Sequence, residues 1–175
     1  MVLKPEPIFR CVEAIKPKGH IVLLSPRGRS LTQALARQLA GKKHLTLISG
    51  NYEGVDERVG EHLADQQISV GDFVTMGGEA PLLCLIESVV RLIPGVLGNP
   101  KSVKEESFSP FQNGVRGRRL EFPQFTRPRV FRGWAVPEVL LSGDHHAIQE
   151  WRKKEAFRVT QENRPDLLKI KRKPG

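Results

Sequence analysis

The stretch HIVLLSPRGRSLTQALARQLAGKKHLTLIS, residues 20–49, decides the fold class. Its opening, HIVLLS, is short and apolar and stops at Pro26-Arg27-Gly28, a turn signal, so a buried strand is expected over 20–25 with a loop after it. Ser30 stands where it can cap a helix, because a serine oxygen accepts from the free N–H groups of a first helical turn. Leu31, Ala34, Leu35 and Leu39 then share one helical face, and Gly41 follows where such a helix ends. LTLIS (45–49) reads as a second strand. Strand, helix and strand in this order imply an α/β unit with parallel strands, since a parallel pair needs a crossover. Ligands in open α/β sheets bind beyond the carboxyl ends of the strands, and here those ends feed loops rich in Gly, Pro and Ser.

Outward from this unit, GNYEGVDERV (50–59) leads into a helix expected over 56–64. ISVGDFV (68–74) has strand composition interrupted by Gly71, and TMGGE (75–79) precedes a strongly apolar helix over 80–93, stopped by Pro94-Gly95. Three loops, around Pro26, Gly50 and Gly77, thus follow three strands. From 99 to 133, Pro100, Pro110, Gly114, Gly117, Pro123 and Pro128 break both periodicities, which reads as a linker or long binding loop. Beyond it, Asp144 or Ser142 can cap a helix through HAIQEWRKKEAFRVTQE (146–162), with Ile148, Trp151 and Ala156 inward and Arg152, Lys153 and Lys154 outward.

A chain of 175 residues with 39% hydrophobic and 27% charged side chains suits one compact unit or two small ones and excludes wholesale disorder. No apolar run approaches the roughly 18 residues of a membrane span. MVLKPEPIF has no secretory pattern, and Cys11 and Cys84 make no disulfide framework, so a reducing cytoplasm is the expected setting. The net charge of +9 is unevenly spread: residues 1–100 hold 11 basic and 10 acidic side chains, residues 101–175 hold 17 and 9. Such a basic half suits a polyanion, because each cation placed on a phosphate releases counterions; a solvated basic face is the plainer alternative.

GxxxxGK[ST] and GxGxxG are both missing, which removes two common nucleotide-phosphate cradles, and no G-x-S-x-G elbow marks a serine hydrolase. His145-His146 is an adjacent pair rather than an i, i+4 pair, so no metal site is expected.

LLSPRGR (23–29), SGNYEGVDERV (49–59), ISVGDFVTMGGE (68–79), RLIPGVLGN (91–99), EESFS (105–109), FPQFTRP (122–128) and VPEVLLSGDHHAIQEWR (136–152) occur in an order and spacing that resembles the bacterial tRNA (guanine-N1)-methyltransferase family. The resemblance covers almost the whole chain. It implies a SPOUT fold, an α/β domain with a parallel sheet and a deep trefoil knot, followed by a flexible linker and a small helical carboxyl-terminal domain. The corresponding boundaries are 1–104 for the cofactor-binding domain, 105–133 for a basic linker and 134–175 for a helical tRNA-binding domain. The family carries a further amino-terminal segment, including the first strand, ahead of the part that matches MVLKPEP.

By the same resemblance S-adenosylmethionine is held by three loops: Leu24, Ser25 and Pro26; Gly50, Tyr52, Glu53 and Gly54; and Val70, Gly71, Phe73, Thr75, Gly77 and Gly78. Glycines let backbone groups approach a ligand closely, and Glu53 can counter a sulfonium charge or complement a helix dipole. Methylation at guanine N1 needs a base for the N1 proton and a cation near O6. The resemblance places these on Glu106, where the family typically has aspartate, and on Arg91; bland roles for the two are a linker acid and a helix-terminal cation. Asn51, Phe73 and Thr75-Met76 also depart from the family's usual arginine, tyrosine and Leu-Ser. Arg116, Arg118, Arg119, Arg127 and Arg129 lie among Phe122, Phe125 and Phe131, a composition suited to phosphates and exposed bases. The expected protein is therefore a homodimeric methyltransferase acting on the guanosine 3′ of the anticodon. Its rival is an impaired or non-catalytic truncated homologue that binds tRNA.

Overall fold

Alternation of side chains along a strand gives each face of a sheet its own apolar set, and the central strand of this protein uses both. In the computed structural model, which describes residues 1–98, 106–111 and 117–168, the chain divides into two compact units, Met1–Pro100 and Lys101–Gly175. The first unit contains, in order, α1 (Pro5–Ala14), β1 (His20–Ser30), α2 (Gln33–Ala40), β2 (Leu45–Ser49), α3 (Glu57–His62), β3 (Gln66–Ser69) and α4 (Glu79–Val90). Its strands form one parallel sheet in the order β2-β1-β3, as the strand–helix–strand reading requires.

From β1, Ile21 and Leu23 join Ile48, Val12 and Val59 in one buried cluster, beneath α1 and α3. Val22 packs on the opposite face with Ile68, Leu35, Leu39, Leu85 and Val89, beneath α2 and α4. The result is a sheet covered by helices on both sides. Burying a side chain of this size is worth roughly 1.5–3 kcal/mol. α1 was not foreseen from the sequence; Pro5 begins it, and Ile8, Phe9 and Val12 form its inward stripe.

The expected end of the first strand at residue 25, and the cap at Ser30, are corrected by the structure. Leu24 and Arg29 both pair with Ile68, so residues 25–28 form an excursion and the chain then re-enters the ladder at Arg29 and Ser30. Gly28 permits this, because a Cβ there would run into the backbone of Gln67 and Ile68. Leu31 N–H donates to the Ser69 carbonyl at 2.7 Å. The cap passes to Thr32, whose Oγ1 accepts from Leu35 N–H at 3.2 Å.

Two further boundaries shift. β3 begins at Gln66 and closes at Ser69, leaving Gly71 and Phe73 in the loop beyond. α4 ends at Val90, because Pro94 supplies no N–H to continue the helix and disfavours a helical residue before it. α3 is capped by Asp56, which accepts from the Arg58 backbone and, at 2.7 Å, from its Nε. The Arg58 guanidinium holds that carboxyl down at about 2, below its ordinary 3.8.

The second unit contains β4 (Ser109–Pro110) paired antiparallel with β5 (Arg118–Arg119), the hairpin of β6 (Val130–Phe131) and β7 (Trp134–Ala135), a 3-10 turn at Glu138–Leu141 and the long α5 (His145–Asn163). Arg132 and Gly133, at φ 52° and 85°, make the hairpin turn. Of the two candidate caps for α5, Asp144 takes the position, accepting from His146 and Ala147 N–H. Thr160, fully buried, ties helix to strand: its hydroxyl accepts from Leu120 N–H and donates to the Ala156 carbonyl. Ile148, Trp151 and Ala156 face inward or are partly covered, as expected. Arg152 does not stay wholly outward; its guanidinium carbon lies 4.8 Å from the centroid of the Phe122 ring.

Candidate functional site

The excursion at residues 25–28 within β1 and the loops after β2 and β3 form a cavity of about 340 Å³. The first loop brings Leu24, Ser25 and Pro26 to it, the second Gly50, Tyr52, Glu53 and Gly54, and the third Val70, Phe73, Thr75, Gly77 and Gly78. Every residue expected there from the sequence lines the cavity except Gly71. That glycine is turned into a tight bend, its carbonyl accepting from Ser69 Oγ at 2.9 Å, and its missing Cβ makes room for the Phe73 ring. Met76, expected beside the cofactor, lines the cavity too. Sequence reading missed Leu23, Arg27, Val55, Ile68, Ser69, Val74 and Pro81, which also line the cavity. Arg27 lies inside the PRG turn, so its position in the loop was the available signal.

Local chemistry holds the loops against one another. Arg27 donates to Glu57 at 2.5 Å, joining the first loop to α3. Asn51 Nδ2 donates to Glu79 Oε1 at 3.2 Å, joining the second loop to the start of α4. Thr75 Oγ1 donates to the Gly77 carbonyl at 2.7 Å. The chain's first residues brace the second loop: Leu3 N–H donates to the Gly54 carbonyl, and Glu53 and Asp56 N–H donate to the carbonyls of Met1 and Leu3. Gly54 at φ 103° and Tyr52 at φ 60° make the left-handed turns this path needs.

Gly78, the N-cap of α4, is pressed against Ser49 and Gly50, so a Cβ there would sit 2.6 Å from the Gly50 carbonyl oxygen and collide with Ser49 Oγ. The cavity therefore offers backbone groups at close range, apolar walls from Leu24, Val70 and Pro81, and the carboxylate of Glu53. Tyr52, Phe73 and Met76 remain exposed on its lining, Met76 wholly so. Such a site suits a ligand with a flat, hydrogen-bonding ring and a positive centre.

Arg91 is half-buried at the C-cap of α4 in the first unit. Glu106 is half-buried in the second, where its carbonyl accepts from Ser109 N–H at 3.3 Å. Of the expected RNA-contacting arginines, Arg127 and Arg129 are exposed, and Arg129 lies 3.9 Å from Glu138. Arg118 is half-buried, and Arg119, only 6% exposed, packs within the unit. Arg116 lies outside the described residues. Among the described residues no group of three His, Cys, Asp or Glu side chains is gathered for a metal, and no helix is long and apolar enough to cross a membrane.

The family described as tRNA (Guanine-1)-methyltransferase TrmD matches residues 1–170. The chain is 52% identical over 172 residues to the tRNA (guanine-N(1)-)-methyltransferase of Dehalococcoides mccartyi strain ATCC BAA-2266, covering 96% of this chain and 66% of that protein. To the proteins of the same name from Anaeromyxobacter sp. strain K and Brevibacillus brevis it is 54% and 52% identical, covering 96% of itself and 67% of each. It thus spans about two thirds of the length of these curated relatives. A parallel α/β sheet, a cavity built by three of its loops, and a match over nearly every residue converge on one assignment: the chain belongs to the tRNA (guanine-N1)-methyltransferase family.

Proposed function

We propose that this chain is a tRNA (guanine-N1)-methyltransferase like the relatives it matches, and that it moves a methyl group from S-adenosylmethionine to N1 of the guanosine 3′ of the anticodon. The observation that carries this reading is the cavity between the β1 excursion and the loops after β2 and β3, lined by the loop residues that the family resemblance assigns to the methyl donor, Gly71 excepted. Bound there, the donor supplies an electrophilic methyl on a sulfonium centre. Leu24, Val70 and Pro81 would cover its adenine, the backbone near Gly77 and Gly78 would meet the ring edge, and Glu53 would answer the positive charge.

Guanine N1 holds a proton, and its lone pair is delocalised. Glu106 would take that proton as the N–C bond forms, and Arg91 would hold O6 as negative charge gathers there. Protonated Glu106 would return its proton to water, and the donor would depart as a neutral thioether. Arg118, Arg127 and Arg129 would hold tRNA phosphates. The fuller picture is a knotted SPOUT domain over 1–104, a basic linker over 105–133 and a tRNA-binding domain over 134–175, assembled as a cytoplasmic homodimer.

The test is a single-turnover methyl-transfer assay on unmodified tRNA, with calorimetry of S-adenosylmethionine on the same sample. Methylated guanosine is expected, together with a rate roughly 100-fold or more lower in Glu106→Gln at nearly unchanged donor affinity. Glu106→Asp should retain activity. No product and no donor binding, with RNA binding retained, would overturn the enzymatic reading in favour of a tRNA-binding remnant.

A further inference from the structure

A second cavity, of about 480 Å³, lies within the second unit, where the FPQFTRP segment passes over α5 and the 3-10 turn. Its apolar lining includes Phe125, Leu140, Ile148 and Trp151, and its charged lining is cationic throughout: Arg127, Arg129 and Arg152, with no acidic side chain. Phe125 and Trp151 meet at 6.2 Å between ring centroids and 59° between planes. This contact leaves Phe125 48% exposed. Arg152, laid over the Phe122 ring, has a buried Nε with no hydrogen-bond acceptor among the described residues. A buried donor without an acceptor is costly.

We propose that this groove holds one unpaired nucleotide of the bound RNA, its base stacked on the exposed side of Phe125 and its phosphate on Arg127 and Arg129. Arg152 adds a third cation to the lining. Three cations on the lining, with the Glu138 carboxylate 3.9 Å from Arg129 but not itself on the lining, favour an anionic ligand over an apolar peptide. The exposed aromatic ring favours a ligand with a π-face, and a concave site of this size admits a splayed base but no stacked duplex. The identity of that RNA as tRNA rests on the function proposed above.

The two tryptophans of the chain make the test direct. Trp134 lies in β7 and is 71% exposed, outside the groove, so Trp134→Phe leaves Trp151 as the sole reporter. Adding a stem-loop RNA with an unpaired loop should quench Trp151 emission, and a blunt duplex of the same stem should not. Phe125→Leu, at a half-exposed position, should weaken stem-loop binding about tenfold with an unchanged salt dependence, while Phe125→Tyr should retain it. Equal affinity of Phe125→Leu and the parent, equal quenching by the duplex, or quenching by neither RNA would overturn the groove. Methyl transfer measured on the same samples separates the two proposals. Phe125-dependent quenching without methylated product would leave the groove standing and remove the enzymatic reading. Full methylation by Phe125→Leu at an unaltered KM for tRNA would do the reverse.

Discussion

A single methyl group at residue 78 is the sharpest probe of the first cavity. Gly78 is in close contact with Ser49 and the Gly50 backbone, and neither the strand end nor the adjoining loop can retreat without moving the rest of the lining. Gly78→Ala should destabilise the protein by about 1–3 kcal/mol and abolish measurable binding of S-adenosylmethionine. Gly41→Ala is the matched control: its φ is −81°, its nearest neighbours lie at 3.5 Å or beyond, and its effect should stay within about 0.5 kcal/mol. Thermal melts and calorimetry on both variants check this, and equal donor affinity in Gly78→Ala and the parent would contradict the placement of the ligand. At this scale Gly and Pro mark where the loops lie, and the family resemblance names the cavity residues within them. The sequence did not distinguish Gly71 from its neighbours, because which glycine faces a cavity depends on the Ser69 bend and on where the Phe73 ring comes to rest.

Helix and strand limits depend on pairing partners remote in sequence, and β1 is the clearest instance. HIVLLS announces a strand and PRG announces its end, yet the ladder with β3 resumes at Arg29 because Gly28 lets two backbones meet. Nothing local to residues 26–30 states that. The consequence is measurable at the next helix. Thr32→Ala removes the oxygen that accepts from Leu35 N–H and should cost about 1 kcal/mol, whereas Ser30→Ala should cost less than about 0.5 kcal/mol. Reversed effects in urea melts would restore the cap to Ser30. α5 was legible for the opposite reason, since its cap Asp144 and its inward residues Ile148, Trp151 and Ala156 lie in one local stretch of sequence. The β6–β7 hairpin was missed because its strands are two residues long, too short for any period, although Arg132-Gly133 is a turn pair.

Across the whole molecule the charge divides as the two compact units do, near neutrality in residues 1–100 and a net of +8 in residues 101–175. The asymmetry was visible in composition, but composition does not say which arginines reach solvent. Arg119 is buried, and Arg158 and Arg164 are engaged by Glu155, Glu162 and Asp166, so these three arginines face internal partners or the core rather than a ligand. Arg127 and Arg129 are exposed, and the nearest carboxylate recorded for Arg129 is 3.9 Å away. Among the described arginines expected to contact RNA, these two are the exposed ones, placed to release counterions from RNA. The double substitution Arg127→Gln with Arg129→Gln should lower tRNA affinity and flatten the log-log salt dependence by roughly 1.4–1.8 units, two phosphate contacts' worth. S-adenosylmethionine binding should be unaffected, because neither arginine lines the first cavity. If the two arginines serve the fold instead, the double variant should melt earlier with its RNA affinity and salt slope unchanged, and filter-binding titrations from low to moderate salt decide between the two.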